Sequence, residues 1–345
     1  MQKPALRLPS VLFRVKIAVM DTLLNKIVPE NLSGEFNKIY GGGKNPVRVF
    51  AAPARINIIG EHIDYNGGKV FPSAIDRHLY VTIRKRDDSR ITYRDLKFPG
   101  IYSFDIRDEF AYKKENGYAN YLNGIATILK RRGCVFSGGF DALIGSDIPP
   151  AGGISSSSAL ECGFAYALSE VFDFGISRKD IALIGQQSEH EFMNVNCGIM
   201  DQFIIATAKR NTAELLDCAT LDFEYVPLAL DGCRFVVMNT QKKRQLADSK
   251  YNERRAECAR ALAILQEAKI PLHTAGKYTN TEDIPDLCAL TPKQLDECKS
   301  IFTDETIFRR ARHCVTENAR VAKAATALKE GNLSALGTLL KESHA

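Results

Sequence analysis

Strand-forming and helix-forming segments come in separate blocks along this chain, and this arrangement restricts the possible folds more than any other sequence feature. Five segments between residues 47 and 106 are rich in β-branched and aromatic residues and are separated by turn-forming residues, which predicts strands. From residue 155 onward, apolar residues recur mainly with a helical period. Because the two types do not alternate strictly, we predict an α+β fold in preference to a doubly wound sheet.

The apolar period also gives approximate bounds for individual elements. We predict helices over residues 14–27, 119–132, 155–172, 178–193, 198–209, 249–268 and 304–331. Additional strand signals lie at residues 140–150, 213–218 and 233–240. The chain has 345 residues, which is more than one compact core usually accommodates. We therefore expect two domains, residues 1–210 and residues 211–345.

The charge distribution argues against a nucleic-acid partner. Lys and Arg number 46 and Asp and Glu number 41, which gives a net charge of +5 with the two signs interspersed. The longest basic cluster, residues 242–244, is short and has no aromatic residues between its charges. Such a cluster is typical of a solvated loop, so we predict no nucleic-acid binding.

The cysteine pattern and the apolar runs indicate a cytoplasmic protein. Nine cysteines form an odd set without a C-x-x-C pair, and no histidine pair has ligand spacing, so we expect reduced thiols with neither disulfides nor zinc. No apolar run is long enough to span a bilayer, and the first residues lack the pattern of a signal peptide. We therefore expect a cytoplasmic location and no membrane partner.

The first motif that could bind a ligand or take part in catalysis runs from Arg55 to Gly68. It places Arg, Glu, His and Asp within ten residues, directly after an apolar strand. Two carboxylates, Glu61 and Asp64, lie three residues apart on a glycine-bounded turn, where each could accept charge-assisted hydrogen bonds from neighbouring hydroxyl groups. This pattern favours a polyhydroxylated ligand, and the alternative is an ordinary polar turn between two strands.

The second motif, residues 149–161, predicts a phosphate-binding loop. A strand leads into Gly152 and Gly153, and four serines, residues 155–158, then open a helix. Free backbone N–H groups and the helix dipole at such a terminus bind anions, and a serine hydroxyl can ligate Mg²⁺. The Walker sequence G-x-x-x-x-G-K-[ST] is absent. The alternative is that the serines only cap the helix.

The third motif contains two further acids, Glu189 and Asp201. Glu189 lies late in a predicted helix that should pack beside the serine helix, and Asp201 lies at the start of the next helix, where the dipole favours the ionised carboxylate. An ionised carboxylate can act as a base toward a hydroxyl group, and a nearby Arg55 would keep it ionised. Taken alone, Asp201 is better explained as a simple acid at a helix N-terminus.

Several segments together resemble galactokinases, which belong to the GHMP family of small-molecule kinases. RINIIGEHIDYNGGKVFP (residues 55–72) resembles the galactokinase signature, PPAGGISSSSALE (149–161) is similar to the phosphate loop of the wider family, and CGIMDQF (197–203) resembles the segment with the catalytic aspartate. Further similar segments are YANYLNGI (118–125), NTQKKRQLADSKYNERRAEC (239–258) and FRRARHCVTENARV (308–321). The resemblance implies a two-domain fold with mixed sheets, helices on one side and the active site in the cleft between the domains.

The resemblance also implies a reaction and a role for each matching residue. It implies transfer of the γ-phosphate of ATP to the C1 hydroxyl of galactose, with Asp201 as base or electrostatic partner and Arg55 as its neighbour and phosphoryl stabiliser. Galactose would be held by Glu61, His62, Asp64, Gly198 and Tyr251. The ATP phosphates would lie against Gly152, Gly153, Ser155, Ser156, Ser157 and Ser158. Mg²⁺ would be held by Ser157 and Glu189.

Two departures from the family pattern leave alternatives open. Ala54 and Ala151 stand where the family commonly has glycine, and the chain ends at Ala345 without the third glycine-rich motif of galactokinases. We therefore expect an incomplete second domain and weaker activity than that of a chain with this motif. Independently of this feature, we expect a monomer. The alternatives are a kinase for N-acetylgalactosamine or another sugar, and a shortened paralogue that binds galactose and ATP without catalysis.

Overall fold

The structure is a computed structural model that describes residues 29–149, 152–230, 232–238, 249–273 and 278–345. The predicted helix at residues 14–27, the basic cluster at 242–244 and Ala151 lie outside the described residues. Within the described ranges, no helix is both long and apolar enough to cross a membrane.

The described elements include strands and helices in the predicted blocks. The strands are β1 (Arg48–Asn57), β2 (Lys69–Val70), β3 (Pro72–Lys85), β4 (Arg90–Asp95), β5 (Ile101–Asp105), β6 (Phe140–Ser146), β7 (Thr212–Asp217) and β8 (Phe223–Pro227). The helices are α1 (Pro29–Tyr40), α2 (Ala119–Arg131), α3 (Ser156–Val171), α4 (Arg178–Glu191), α5 (Met200–Thr207), α6 (Ser249–Ala268), α7 (Pro292–Glu297), α8 (Glu305–Lys329) and α9 (Leu333–His344). The predicted α+β class is confirmed.

The predicted strand at residues 233–240 is wrong for its described part. Residues 233–238 form no strand, and Val236 and Met238 are 80% and 84% exposed. The β-branched composition of this segment produced the prediction, but a strand also needs a neighbouring strand to pair with. None of the described strands pairs with this segment.

The larger sheet is formed by five strands from the first half of the chain. Its strand order is β1-β3-β6-β4-β5, with β4 parallel to β6 and the other pairs antiparallel. Helix α3 packs on β1 and β3, and its Gly163 lies so close to Ala52 that a side chain at 163 would crowd the strand. Helices α2 and α4 pack against α3, and α5 contacts α3, β1 and β3. The N-terminal end of α3 lies beside the C-terminal end of α4, where Ser157 meets Glu189, while Arg178 at the start of α4 donates to the Ala206 carbonyl at the end of α5.

Helix α1 covers part of the opposite face of this sheet. Side chains alternate along β3, so that Val81 faces Gly163 of α3 while Arg84 faces α1, where its guanidinium lies 5.1 Å from the centre of the Phe36 ring. The Tyr40 hydroxyl at the end of α1 donates to the Ala142 carbonyl at 2.9 Å. Helix α3 thus contacts one face of the larger sheet and α1 contacts the other.

The smaller sheet joins the two halves of the chain. Its order is β2-β7-β8, so the short strand β2 from the first half pairs with strands beyond residue 210. Helix α8 packs on β2 and β8 and also contacts α6, α7 and α9. The consequence is that the turn between β1 and β2 lies directly beside α8.

Candidate active site

A cleft forms where four chain segments converge: the end of β1, the turn that follows it, and the N-terminal ends of α3 and α5. Arg55 lies near the end of β1, just after an irregularity in the β1–β3 register between Pro53 and Ala54. Proline cannot donate a hydrogen bond to a neighbouring strand, so an irregularity at this point is expected. The predicted residues Arg55, Ser155 and Asp201 meet here, although they are distant in sequence.

The centre of the cleft is a two-pronged ion pair between Arg55 and Asp201. Arg55 donates from Nε to Asp201 Oδ1 at 2.8 Å and from Nη2 to Oδ2 at 2.7 Å, and the Ser155 hydroxyl also donates to Oδ2. Burial alone would raise the pKa of the Asp201 carboxyl, but the charge of Arg55 and the hydrogen bonds from Arg55 and Ser155 hold it below its usual value. Asp201 is therefore ionised at neutral pH, as the sequence predicted.

The glycine-serine loop is attached to the same arginine. Arg55 donates from Nη1 to the Gly153 carbonyl at 3.0 Å and from its backbone N–H to the Ile154 carbonyl at 3.4 Å. The first intrahelical bond of α3 runs from Ala159 N–H to Ser155 O, so the amides of residues 156–158 precede it. Free amides at a helix start form an anion-binding site, and Arg55 fixes this one beside Asp201.

Two non-glycine residues in the cleft have left-handed backbone conformations. Ser155 and His62 both have φ of 61°. This conformation costs about 1–2 kcal/mol for a residue with a side chain. Both residues lie in predicted functional motifs, and for Ser155 the conformation accompanies a hydroxyl hydrogen bond to Asp201. Sequence reasoning assigned Ser155 to the phosphate loop and missed this second contact, because the contact depends on packing between α3 and α5.

Glu189 and Ser157 lie next to each other behind the loop. Burial and the negative charge of Asp201 raise the pKa of Glu189 to about 7, against a hydrogen bond from Ser157. The Oε2 atom of Glu189 is buried without a hydrogen-bond partner. Within the described residues, no group of three or more His, Cys, Asp or Glu is arranged to hold a metal ion. A single carboxylate with a hydroxyl still suits Mg²⁺, which is commonly held by one or two carboxylates, water and substrate phosphates.

The turn at residues 60–68, here called the acidic turn, forms the opposite wall of the cleft. The Asp64 carboxylate lies against Gly198, where any side chain would collide with it, so residue 198 must be glycine. Burial and the charge of Asp201 raise the pKa of Asp64 to about 6, although backbone amides, including that of Met200, oppose the shift. Glu61 is exposed and accepts a hydrogen bond from Asn57 Nδ2 at 3.2 Å.

Aromatic rings line the cleft beside the acidic turn. The rings of His62 and Tyr65 each lie within 6 Å of the Tyr251 ring, at 5.8 and 5.6 Å between centres. His62 Nδ1 and the Tyr65 hydroxyl are hydrogen-bonded at 2.8 Å. The Tyr251 hydroxyl accepts a hydrogen bond from the Gly198 amide at 3.3 Å. Tyr251, which comes from α6, therefore lies beside the predicted residues of the acidic turn.

The loop that carries Gly198 is held by two residues that sequence reasoning did not assign. His190 donates from Nε2 to the Cys197 carbonyl at 2.8 Å, and Arg255 donates to the carbonyl groups of Asn196 and Cys197. Both residues line a cavity of about 260 Å³ beside Asp64 and Gly198. No local pattern predicts the Arg255 contacts, which span 58 and 59 positions, whereas His190 lies only seven residues before Cys197 in the third motif.

Comparisons with known proteins first define the class. Residues 34–85 match the galactokinase galactose-binding signature, and residues 120–209 match the GHMP kinases N terminal domain. The crystal structure of the Methanococcus jannaschii mevalonate kinase has the same fold, with a TM-score of 0.50 at 17% identity over 75% of this chain and 80% of that one. The match to the N-terminal domain of GHMP kinases, together with this fold, indicates a kinase of the GHMP class.

More similar relatives then define the family. The chain is 40% identical to the galactokinase of Clostridium beijerinckii over 315 residues, which is 91% of this chain and 77% of the relative. It is also 40% identical to the galactokinase of Lactiplantibacillus plantarum over 316 residues, 91% of this chain and 78% of that one. The crystal structure of Lactococcus lactis galactokinase complexed with galactose superposes with a TM-score of 0.84 at 38% identity, covering 91% of this chain and 78% of that one. The chain belongs to the galactokinase family and is an ATP-dependent sugar kinase.

Proposed function

We propose that this chain transfers the γ-phosphate of ATP to the C1 hydroxyl of galactose. The observation that supports this most directly is the Arg55–Asp201 pair, which lies between an anion-binding loop and a turn with two carboxylates. A phosphate donor on one side and a polyhydroxylated acceptor on the other would meet at this pair. The similarity to the Lactococcus lactis enzyme, whose crystal structure contains galactose, supports the choice of sugar.

In the proposed mechanism, Asp201 faces the reacting hydroxyl. Its ionised carboxylate accepts the hydroxyl proton, or stabilises the developing charge, as the oxygen attacks phosphorus. Arg55 keeps Asp201 ionised and adds positive charge next to the transferring phosphoryl group. Phosphoryl transfer depends mainly on alignment and charge neutralisation, and a positioned base typically contributes about 10²–10⁴-fold.

The acidic turn supplies sugar recognition in this proposal. Glu61 and Asp64 accept hydrogen bonds from sugar hydroxyls, and His62, Tyr251 and the Gly198 backbone complete the pocket. A carboxylate can accept from two adjacent hydroxyl groups at once, which favours one hydroxyl arrangement over others. The two carboxylates are therefore the proposed source of sugar specificity.

The glycine-serine loop holds the nucleotide in this proposal. Backbone amides and hydroxyls of residues 152–158 bind the ATP phosphates at the start of α3. Ser157 and Glu189 would hold Mg²⁺, and their oxygen atoms are of the type that this ion prefers. The bound ion neutralises phosphate charge. Glu189 would contribute an ionised carboxylate as a ligand, and a bound cation would favour that ionised state.

The cellular context of the enzyme is also a proposal. All nine cysteines are free, which supports a reducing, cytoplasmic location. We propose a monomer, with domains at residues 1–210 and 211–345 and the cleft between them. Strand β2 crosses this division, because it pairs with β7.

A coupled assay of ADP release over a panel of sugars tests the function. Galactose should give the highest kcat/KM, and N-acetylgalactosamine and glucose should give much less. A preference for N-acetylgalactosamine would show that the proposed substrate is wrong and that the proposed type of reaction is right. Binding of galactose and ATP without ADP release would identify a non-catalytic binding protein and would contradict the proposal.

A further inference from the structure

Helix α8 lies against the backbone of the acidic turn through one of its faces. Residues 313, 314, 317 and 318 share this face, since they are spaced as neighbours on a helix surface. They belong to the segment 308–321, which resembles galactokinases but to which no role was assigned above. Helix α8 also packs on β2, the strand that directly follows the acidic turn.

Both ends of the acidic turn are fixed by adjacent residues of α8. Glu317 accepts a hydrogen bond from the Gly60 amide at 3.0 Å, and Asn318 Oδ1 accepts one from the Lys69 amide, directly after the turn, at 2.8 Å. Gly60 has φ of 109°, and a side chain there would press on the Lys69 carbonyl and on Val321 of α8. The tight approach of the turn to α8 therefore requires glycine at residue 60.

The residues that follow Gly60 also face α8. His313 Nε2 donates to the Glu61 carbonyl at 2.8 Å, and the Sγ atom of Cys314 lies 4.0 Å from the His62 carbonyl oxygen. Three consecutive backbone groups, at residues 60, 61 and 62, thus contact the same helix face. The side chains of Glu61 and His62 project from this fixed backbone.

Glu317 is the central member of this contact and is completely buried. Besides the Gly60 amide, its carboxylate accepts hydrogen bonds from Arg320 Nε at 2.8 Å and from the Ser343 hydroxyl of α9 at 2.6 Å. Hydrogen bonds to an ionised acceptor are stronger than neutral ones, and removing the acceptor leaves a buried donor unsatisfied. The Gly60 position is therefore strongly tied to this one carboxylate.

We propose that Glu317 and His313, with Asn318, are positioning residues that fix the acidic turn so that Glu61, His62 and Asp64 are preorganised for the sugar. This inference rests on the proposed function, because it assigns sugar recognition to the turn. None of these three residues is hydrogen-bonded to the glycine-serine loop. Loss of their contacts with the acidic turn weakens sugar binding and leaves nucleotide binding unchanged.

The first test measures galactose affinity by calorimetry, together with KM and kcat, for Glu317→Ala and Glu317→Gln. A displacement of about 1 Å can cost on the order of 10²-fold in reaction rate, so kcat should fall as well. We expect Glu317→Ala to weaken galactose binding by about 10- to 100-fold, with ATP affinity unchanged. Glu317→Gln keeps an oxygen acceptor for Gly60 and should recover most of the loss.

A second pair of variants covers the case in which Glu317→Ala does not fold. His313 is only partly buried, so His313→Leu should fold, and it should weaken galactose binding because the Glu61 carbonyl loses its donor. His313→Gln retains an N–H donor and should restore binding. Lys323→Ala, an exposed change on the same helix, is the control and should have no effect on either ligand.

The outcomes separate this inference from the proposed function. Wild-type phosphorylation of galactose with unchanged galactose affinity in His313→Leu and Glu317→Ala would overturn the positioning role and leave the function intact. Equal losses for galactose and ATP would also overturn it, since that result indicates general destabilisation. A wild-type chain that binds galactose but releases no ADP would contradict the function alone, and the binding measurements would still decide the positioning role. A wild-type chain that binds no galactose would contradict both.

Discussion

Two arginine–aspartate pairs of similar chemistry differ in their exposure to solvent. Arg55 and Asp201 meet in the cleft, whereas Arg84 and Asp141 meet within the larger sheet. The Asp201 side chain is 29% exposed and the Asp141 side chain only 1%. Asp201 is thus accessible to a ligand, whereas Asp141 is enclosed by protein.

The partners of the two aspartates explain the difference in role. Asp141 accepts hydrogen bonds from Arg84, Arg86 and Thr92, and Arg84 also donates to the Gly41 carbonyl after α1. These contacts join β3, β4, β6 and α1. Asp201 instead has its partners in residues of the predicted functional motifs. The comparison teaches that a charged pair gains its function from an open cleft and its neighbours, and not from its own chemistry.

The largest expected effect is on turnover in Asp201→Asn. The amide keeps the size of the side chain but cannot act as a base, so kcat should fall by about 10²–10⁴-fold. The melting temperature and galactose affinity should change little, because the side chain is partly exposed. Steady-state kinetics, calorimetry and thermal unfolding check these expectations. A near wild-type kcat would show that Asp201 is only a structural partner of Arg55 and Ser155.

The matching change in the sheet, Asp141→Ala, should affect stability instead. It leaves Arg84 without its carboxylate in a buried site, whereas Arg86 keeps its second partner Asp88, and breaking a buried pair typically costs about 3–5 kcal/mol. Denaturant unfolding should show this loss, while kcat per folded molecule stays the same. A loss of kcat without a loss of stability would remove the contrast between the two pairs.

Sugar affinity should show a smaller effect when the acidic turn is altered. Asp64→Ala or Glu61→Ala removes a charged acceptor, which should cost about 1–3 kcal/mol of galactose binding. Nucleotide affinity should be almost unchanged, because the glycine-serine loop is on the other side of Arg55. Calorimetry with each ligand separates the two. An equal loss for ATP would show that these residues support the cleft in general.

The smallest effect concerns pH. Since the pKa of Asp64 is raised to about 6, its carboxylate is ionised above that pH and becomes protonated as the pH falls through it. Galactose affinity should therefore be constant from pH 8 to about 7 and decline below about 6, as the charged acceptor is lost. Asp64→Asn should show a smaller decline, because only Glu61, whose pKa burial also raises, then loses its charge. A wild-type profile that is flat down to pH 5 would contradict the assignment.

Local patterns in the sequence predicted the motifs, but they did not predict the contacts between motifs. The acidic turn, the serine helix and Asp201 were all predicted, because each has a short and distinctive pattern. The hydrogen bond from Ser155 to Asp201 and the contact of Glu317 with Gly60 join residues 46 and 257 positions apart, and no local periodicity encodes them. The strand predicted at residues 233–240 shows the same limit, since strand formation depends on a distant partner.

Phosphorus NMR of a reaction mixture tests the central claim most directly. The full chain is incubated with ATP, Mg²⁺ and galactose, and the spectrum is followed over time. We expect the γ-phosphate signal to disappear as a sugar phosphate signal coupled to the C1 proton appears, and Asp201→Asn should slow both changes by the same large factor. Formation of inorganic phosphate alone, or sugar phosphate at an equal rate in the variant, would contradict the account of a galactose 1-kinase centred on Arg55 and Asp201.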